Sequence, residues 1–299
     1  MYDQILEATV LNNTRFEKDP RKCLVYHILD DARVPLTPEQ VAVEWSAIGK
    51  GEEALPLRTR RSPTRICAGG DAWINVLIEV SRFLGYNKTF FDVLEGHYFT
   101  ASTAWPGVTF DHLVASKPFR FHVDTGTFDY FVFSGGGSEI FGCGVLQKLL
   151  KDRDAGHGSG RPEDYLVADR FEAVMKKLKD GYVEVAEYVR DKSPETQVLV
   201  HGYDYPVARA DGPWVGRPFL RRGFDMGADK DLIAAILEHL IDRFYDMLEE
   251  VAEKQPNVMV IDIRNVVRGR WTDELHPELE ASKDIAALYR NVIDGYPSM

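Results

Sequence analysis

Five short apolar runs, most of them separated by a helical pattern, restrict what this chain can fold into more than any other feature. They cover residues 64–68, 89–94, 128–133, 197–201 and 258–263. A run that is apolar at every position, rather than at alternate ones, is a strand buried on both faces, as in a parallel sheet covered by helices. Helical periodicity fills the gaps: 73–84, closed by Gly85; 169–190, with Phe171, Val174, Leu178 and Val185 on one side; 232–251, with Ile236, Leu240, Phe244, Met247 and Val251; and 285–293, with Leu288, Tyr289 and Val292 inward. Strand alternating with helix predicts an α/β fold, a flavodoxin-like three-layer sandwich around a five-stranded parallel sheet of order 2-1-3-4-5. The ligand crevice of that order opens at the carboxyl ends of the first and third strands. It brings the turns at 69–72 and 134–139 face to face.

Residues 1–60 stand outside this alternation and read as a helical extension, with residues 61–299 as the main domain. Thr37-Pro38-Glu39-Gln40 has the form of a helix start, an N-cap threonine followed by proline in the first turn. The extension is expected to pack on the main domain or to mediate oligomerisation. A net charge of -11 argues against a nucleic-acid partner, and the single basic run, Arg58 to Arg61, reads as a solvated linker. Cys23, Cys67 and Cys143 show no ligand spacing, and Cys67 lies inside an apolar strand. An odd, unpatterned set of thiols, with no leader-like start and no run long enough to span a bilayer, gives a cytoplasmic expectation.

Three short motifs carry chemistry. Gly69-Gly70-Asp71-Ala72-Trp73 closes the first strand in a tight turn, where α/β hydrolytic enzymes present a nucleophile. The residue at its tip, Ala72, has no atom that can attack. Ser134-Gly135-Gly136-Gly137-Ser138-Glu139 follows the third strand, and Asp273-Glu274-Leu275-His276-Pro277 follows the fifth. A carboxylate three residues before a histidine can hold the imidazole tautomer that accepts a proton from a hydroxyl nucleophile. The long segment 203–229 leaves the fourth strand carrying Trp214, Phe219 and Phe224. It reads either as an apolar wall for substrate or as a covering loop over the sheet edge.

Over residues 64–295 these motifs, in this order, resemble the SGNH (GDSL-like) hydrolase family of esterases and lipases. Gly70-Asp71-Ala72 resembles the family's Gly-Asp-Ser block, with Ala72 at the serine. Ser134 to Ile140 resembles its Gly-Gly-x-Asn-Asp block, with Ser138 at the asparagine and Glu139 at the aspartate, while Asp273-x-x-His276 matches without change. The resemblance implies a serine nucleophile at position 72, activated by His276 and oriented through Asp273. It implies an oxyanion hole from the N–H groups of residue 72 and Gly96 and the side chain of Ser138, with Trp214, Phe219 and Phe224 toward substrate. It implies a small-molecule carboxylic ester as substrate and neither cofactor nor metal. Ser138 offers a shorter donor than an amide, and losing one such donor costs about 2.7–4 kcal/mol of barrier. Ala72 admits two accounts: a hydrolase whose serine is replaced by alanine, or a natural pseudoenzyme that holds an ester, acylated sugar or lipid without cleaving it.

Other patterns are weaker. His122-x-Asp124 and His201-x-x-Asp204 approach ligand spacing without forming a zinc motif. Gly135-Gly136-Gly137 lacks the lysine of a phosphate loop. Ser159, in Gly156-His157-Gly158-Ser159-Gly160, spells the nucleophile motif of another hydrolase class, but charged residues rather than a strand precede it.

Overall fold

The computed structural model describes residues 14–17, 25–28, 64–75, 79–81, 85–86, 89–104, 107–142, 144–156, 158 and 160–295. The chain divides into two units, Met1–Leu57 and Arg58–Met299. In the first, β1 (Thr14–Glu17) and β2 (Val25–Ile28) pair antiparallel, with Thr14 opposite Ile28 and Glu17 opposite Val25. The described residues of the expected helical extension are therefore strand, and Val25, Tyr26 and Ile28 are of the types that favour a pleated ladder. The helix start expected at Thr37 lies outside the described residues.

The second unit is built on β3 (Arg65–Gly70), a small antiparallel pair β4 (Glu79–Ser81) and β5 (Gly85–Tyr86), α1 (Phe90–Leu94), β6 (Phe99–Ser102), α2 (Phe110–Ser116), α3 (Arg120–Val123) and β7 (Tyr130–Ser134). It continues through α4 (Gly137–Phe141), α5 (Val145–Leu149), α6 (Ala168–Lys192), β8 (Gln197–His201), α7 (Gly216–Arg221), α8 (Lys230–Lys254), β9 (Val258–Ile261) and α9 (Leu279–Ile293). The main sheet runs β6-β3-β7-β8-β9, all parallel, which is the expected order 2-1-3-4-5.

Two expected elements differ. The run 89–94 is not the second strand but α1, because Thr89 accepts the Asp92 N–H while the Asp92 carboxylate accepts the Thr89 N–H, a reciprocal capping box that fixes a helix start. The second strand is β6. The expected helix at 73–84 is a turn at 72–74 followed by β4, in a stretch rich in the β-branched residues Ile74, Val76, Ile78 and Val80.

Side chains alternate across each strand, so β7 and β8 sort the helices into two layers. Phe133, paired in register with Val200, meets Phe110 of α2 at 6.2 Å and Tyr182 of α6 at 5.3 Å, and Phe244 of α8 stands 6.3 Å from Tyr182. His201, on the opposite face, meets Phe90 of α1 at 5.2 Å and Tyr289 of α9 at 6.1 Å. With all five strands pointing one way, the segments that follow Gly70, Ser102, Ser134, His201 and Ile261 share one edge.

Candidate active site

Gly70 brings β3 against β7 at that edge. A Cβ there would lie 2.1 Å from the Ser134 carbonyl oxygen, and the following Asp71 N–H donates to the same oxygen at 3.1 Å. Asp71 is buried and organises the turn. Its Oδ1 accepts the Ser134 hydroxyl at 2.9 Å and the Trp73 N–H at 3.1 Å, and its Oδ2 accepts the Tyr203 hydroxyl at 2.6 Å. The Asp71 carbonyl takes the N–H groups of Ile74 and Asn75. The N–H of Ala72 makes no hydrogen bond among the described residues, which leaves one amide donor at the tip of the turn.

The three consecutive glycines after β7 are required by close packing. A Cβ at Gly135 would lie 2.9 Å from the Phe110 ring, at Gly136 2.9 Å from the Phe244 ring, and at Gly137 3.0 Å from the Tyr203 ring. Tyr203 ties this turn to the first by accepting the Gly137 N–H at 2.7 Å while donating to Asp71.

After β9 the chain closes on itself between Trp271 and Pro277, with the Thr272 N–H on the His276 carbonyl at 2.8 Å. Within this loop Asp273 Oδ1 accepts the N–H groups of Leu275 and His276, each at 2.8 Å, and Oδ2 lies 2.8 Å from His276 Nδ1. Burial alone would raise the Asp273 carboxyl; the His276 ring and these two N–H groups outweigh it and hold the carboxyl below the usual range. With Nδ1–H donated to a carboxylate, Nε2 keeps its lone pair, as a base requires. Nε2 makes no hydrogen bond among the described residues. The Trp73 ring, directly after Ala72, packs 6.1 Å from Trp271, so the two turns meet at one edge.

Trp214 belongs to the same edge, its ring set edge-on to His276 at 5.8 Å. Ser138, in the first turn of α4, donates its hydroxyl to the Val108 carbonyl at 3.3 Å. Other expected residues fall elsewhere. Gly96 precedes β6, whose first residue pairs with Arg65 at the start of β3, and so it lies at the amino edge of the sheet. Its N–H is already given to the Val93 carbonyl at 3.2 Å, so no oxyanion role is open to it. Phe219 and Phe224 are core residues, 0% and 2% exposed, packed on each other at 5.1 Å, with Phe224 also on Tyr165 at 5.7 Å. An aromatic in a long loop has the same spelling whether it faces ligand or core, and these two face core. Ser159 lies outside the described residues.

The carboxylates and histidines of the near-miss metal patterns have other work. Asp204 accepts the N–H groups of Tyr205, Asn265 and Val267 at 2.6–2.7 Å, fixing the loop after β9. His201 is fully buried among aromatic rings, bonded through Nδ1 to the Gly202 carbonyl, and burial keeps its imidazole below the usual range. Among the described residues no group of three or more His, Cys, Asp or Glu is arranged to hold a metal ion.

Two acidic residues escaped the motifs. Glu139 accepts the Phe110 N–H on Oε1 at 2.8 Å, while Oε2 is buried without a partner. Burial pushes its carboxyl up to about 7, against the Phe110 hydrogen bond and the Lys177 charge. Glu274, 1% exposed, accepts four backbone N–H groups, those of Arg209, Trp214, Val215 and Gly216, at 2.7–3.0 Å. Nothing in its spacing announces this, because its partners lie about sixty residues upstream in an irregular loop.

No family model and no curated protein matches the sequence. Solved structures match its fold. An extracellular lipase from Streptomyces rimosus superposes with a TM-score of 0.50 at 15% identity, covering 78% of this chain and 100% of its own. The lipase Lip_vut3 from goat rumen metagenome gives 0.49 at 15% identity, over 76% of this chain and 96% of its own. Phospholipase A1 from Streptomyces albidoflavus NA297 gives 0.49 at 12% identity, over 79% and 100%. The likeness to the Streptomyces rimosus lipase is one of fold, the α/β sandwich of SGNH-type hydrolases. No helix among the described residues is long and apolar enough to cross a membrane.

Proposed function

We propose that the carboxyl-edge crevice binds a carboxylic ester, that the chain with serine at position 72 is an SGNH-type ester hydrolase, and that Ala72 leaves a form that binds without forming an acyl-enzyme. The observation that carries this reading is the His276–Asp273 pair, closed at 2.8 Å, with Nε2 unengaged at the edge where the Gly70–Trp73 turn presents residue 72.

With serine at 72, Oγ attacks the ester carbon as its proton passes to His276 Nε2, and Asp273 steadies the imidazolium. The Ala72 N–H and the Ser138 hydroxyl are the donors offered to the oxyanion, and the loop after β6 takes the place assigned to Gly96. The imidazolium then protonates the leaving alkoxide, and water, deprotonated by the same nitrogen, releases the acid. Trp214 borders the reacting centre and favours an apolar or planar group beside it.

A short-chain aryl ester, assayed with this chain, with Ala72→Ser and with Ala72→Ser/His276→Ala, tests the reading. Expected is a gain of about 10³-fold or more on Ala72→Ser, removed again by His276→Ala. Equal silence of all three across several acyl lengths would overturn hydrolysis. Ala72 itself favours a second reading, a module that only binds: saturable binding of the ester by this chain, with no turnover in Ala72→Ser, would establish it.

A further inference from the structure

The four N–H groups on Glu274 come from a loop that curls around its carboxylate. The Gly212 N–H returns to the Arg209 carbonyl at 2.8 Å, and the Arg217 N–H to the Gly212 carbonyl at 2.9 Å. Oε1 takes the amides of Arg209 and Gly216, and Oε2 those of Trp214 and Val215. Converging backbone amides of this kind make an anion nest, filled here by a side chain of the same protein. No room is spare: a Cβ on Gly212 would lie 1.9 Å from Glu274 Cδ. Arg209 adds a second tie through its guanidinium, which donates to the carbonyls of Trp271 at 3.0 Å and Thr272 at 3.3 Å.

Glu274 stands between Asp273 and His276 in sequence, so whatever it holds is held relative to the base. We infer that Glu274 is a positioning residue, clamping the 209–216 loop to the Asp273–His276 turn so that Trp214 and His276 move as one body and the wall beside the base keeps a fixed distance from it. The inference deepens the ester-hydrolase reading by assigning what sets the shape of the crevice next to Nε2. A carboxylate with four donors suits the task because it accepts on both oxygens. An amide cannot: Gln would satisfy Arg209 and Gly216 through its oxygen but would set its NH₂ against the N–H groups of Trp214 and Val215.

Indole emission is quenched by an imidazolium in ring contact, so Trp214 reports on His276 in the protein as it stands. The experiment is a fluorescence titration from pH 8 to pH 5 on this chain, Trp214→Phe, His276→Ala and Glu274→Gln. A quench present in this chain and absent from both Trp214→Phe and His276→Ala is expected. Glu274→Gln is expected to lose at least half its amplitude with far-UV circular dichroism unchanged, and Glu274→Asp, which keeps both acceptor oxygens, to restore part of it. Full amplitude at an unchanged midpoint in a folded Glu274→Gln would overturn the inference. Should Glu274→Gln not fold, Gly212→Ala displaces the carboxylate without removing it and must show the same loss, or the inference fails. The quench needs no turnover, so an inactive Ala72→Ser beside a Glu274-dependent quench overturns the ester reading and leaves the clamp standing.

Discussion

The Tyr203 hydroxyl donates to Asp71 Oδ2 at 2.6 Å across 132 residues of sequence and accepts the Gly137 N–H at 2.7 Å, so one buried oxygen joins the turn that carries Ala72 to the turn that carries Ser138. Tyr203→Phe keeps the ring, which packs 5.4 Å from both Trp73 and Phe244, and removes only that oxygen. A buried carboxylate then loses a donor and a backbone N–H loses its acceptor. The expected cost is about 1.5–3 kcal/mol, read as a lower urea midpoint at unchanged slope. An unmoved midpoint would show that the two turns hold their shape without the link.

Glu139 predicts an unusual pH dependence. Its carboxyl is raised to about 7 in the folded chain, chiefly by burial, from an ordinary value of 4.5. Between those values the folded state holds a proton that the unfolded state has released, so stability is greatest on the acid side and falls as pH rises from 4.5 through 7. The loss is on the order of 2–3 kcal/mol. Glu139→Gln removes this slope, so urea midpoints of the two proteins should separate at pH 8, with Glu139→Gln the more stable, and approach each other near pH 5. Parallel curves over that range would mean that Glu139 titrates normally.

Much of this architecture was legible because strand burial leaves a mark at every position. Gln197–His201 was bounded to the residue, and the sheet order followed from the alternation alone. What misled was an apolar run whose meaning lay in its flanks: Thr89 and Asp92 make a capping box, and that local hydrogen-bond pair overrides the strand-like spelling of 89–94. The dyad was legible because Asp273 and His276 sit within one turn of chain. Glu274 and Tyr203 were not, since each acts through partners more than fifty residues away, and no short-range pattern encodes a contact of that span. Gly96 misled for a topological reason: a glycine near a strand is informative only once it is known which end of the strand it occupies.

Trp214 and Phe219, six positions apart in sequence, should respond oppositely to truncation. Phe219 is 0% exposed and packed against Phe224, so Phe219→Ala opens a cavity and costs about 3–5 kcal/mol. Trp214 is half-buried with its ring on His276, so Trp214→Ala should cost less stability and instead raise KM for an aryl ester in the Ala72→Ser background. Thermal melts and steady-state kinetics on the two variants separate the roles. A larger loss of stability from Trp214→Ala than from Phe219→Ala would reverse the assignment.

Asp273→Asn tests the orienting carboxylate, and two readouts must agree. Asn can still accept the N–H groups of Leu275 and His276 on its oxygen, so the turn should persist and neutral-pH stability should change little. Its NH₂ then faces His276 Nδ1, which favours the tautomer with the proton on Nε2 and removes the base. In the Ala72→Ser background kcat should fall roughly 10³- to 10⁴-fold. The pH dependence supplies the second readout. The Asp273 carboxyl lies below its usual range in the folded chain, where the His276 interactions and two N–H groups outweigh burial. Its ionised form therefore contributes stability that is fully present above the unfolded value of 3.8 and is lost as pH falls through the lower folded value. Asp273→Asn should flatten that acid limb while leaving the slope assigned to Glu139 intact. A variant that keeps both its rate and its acid limb would show that His276 is oriented by something other than Asp273.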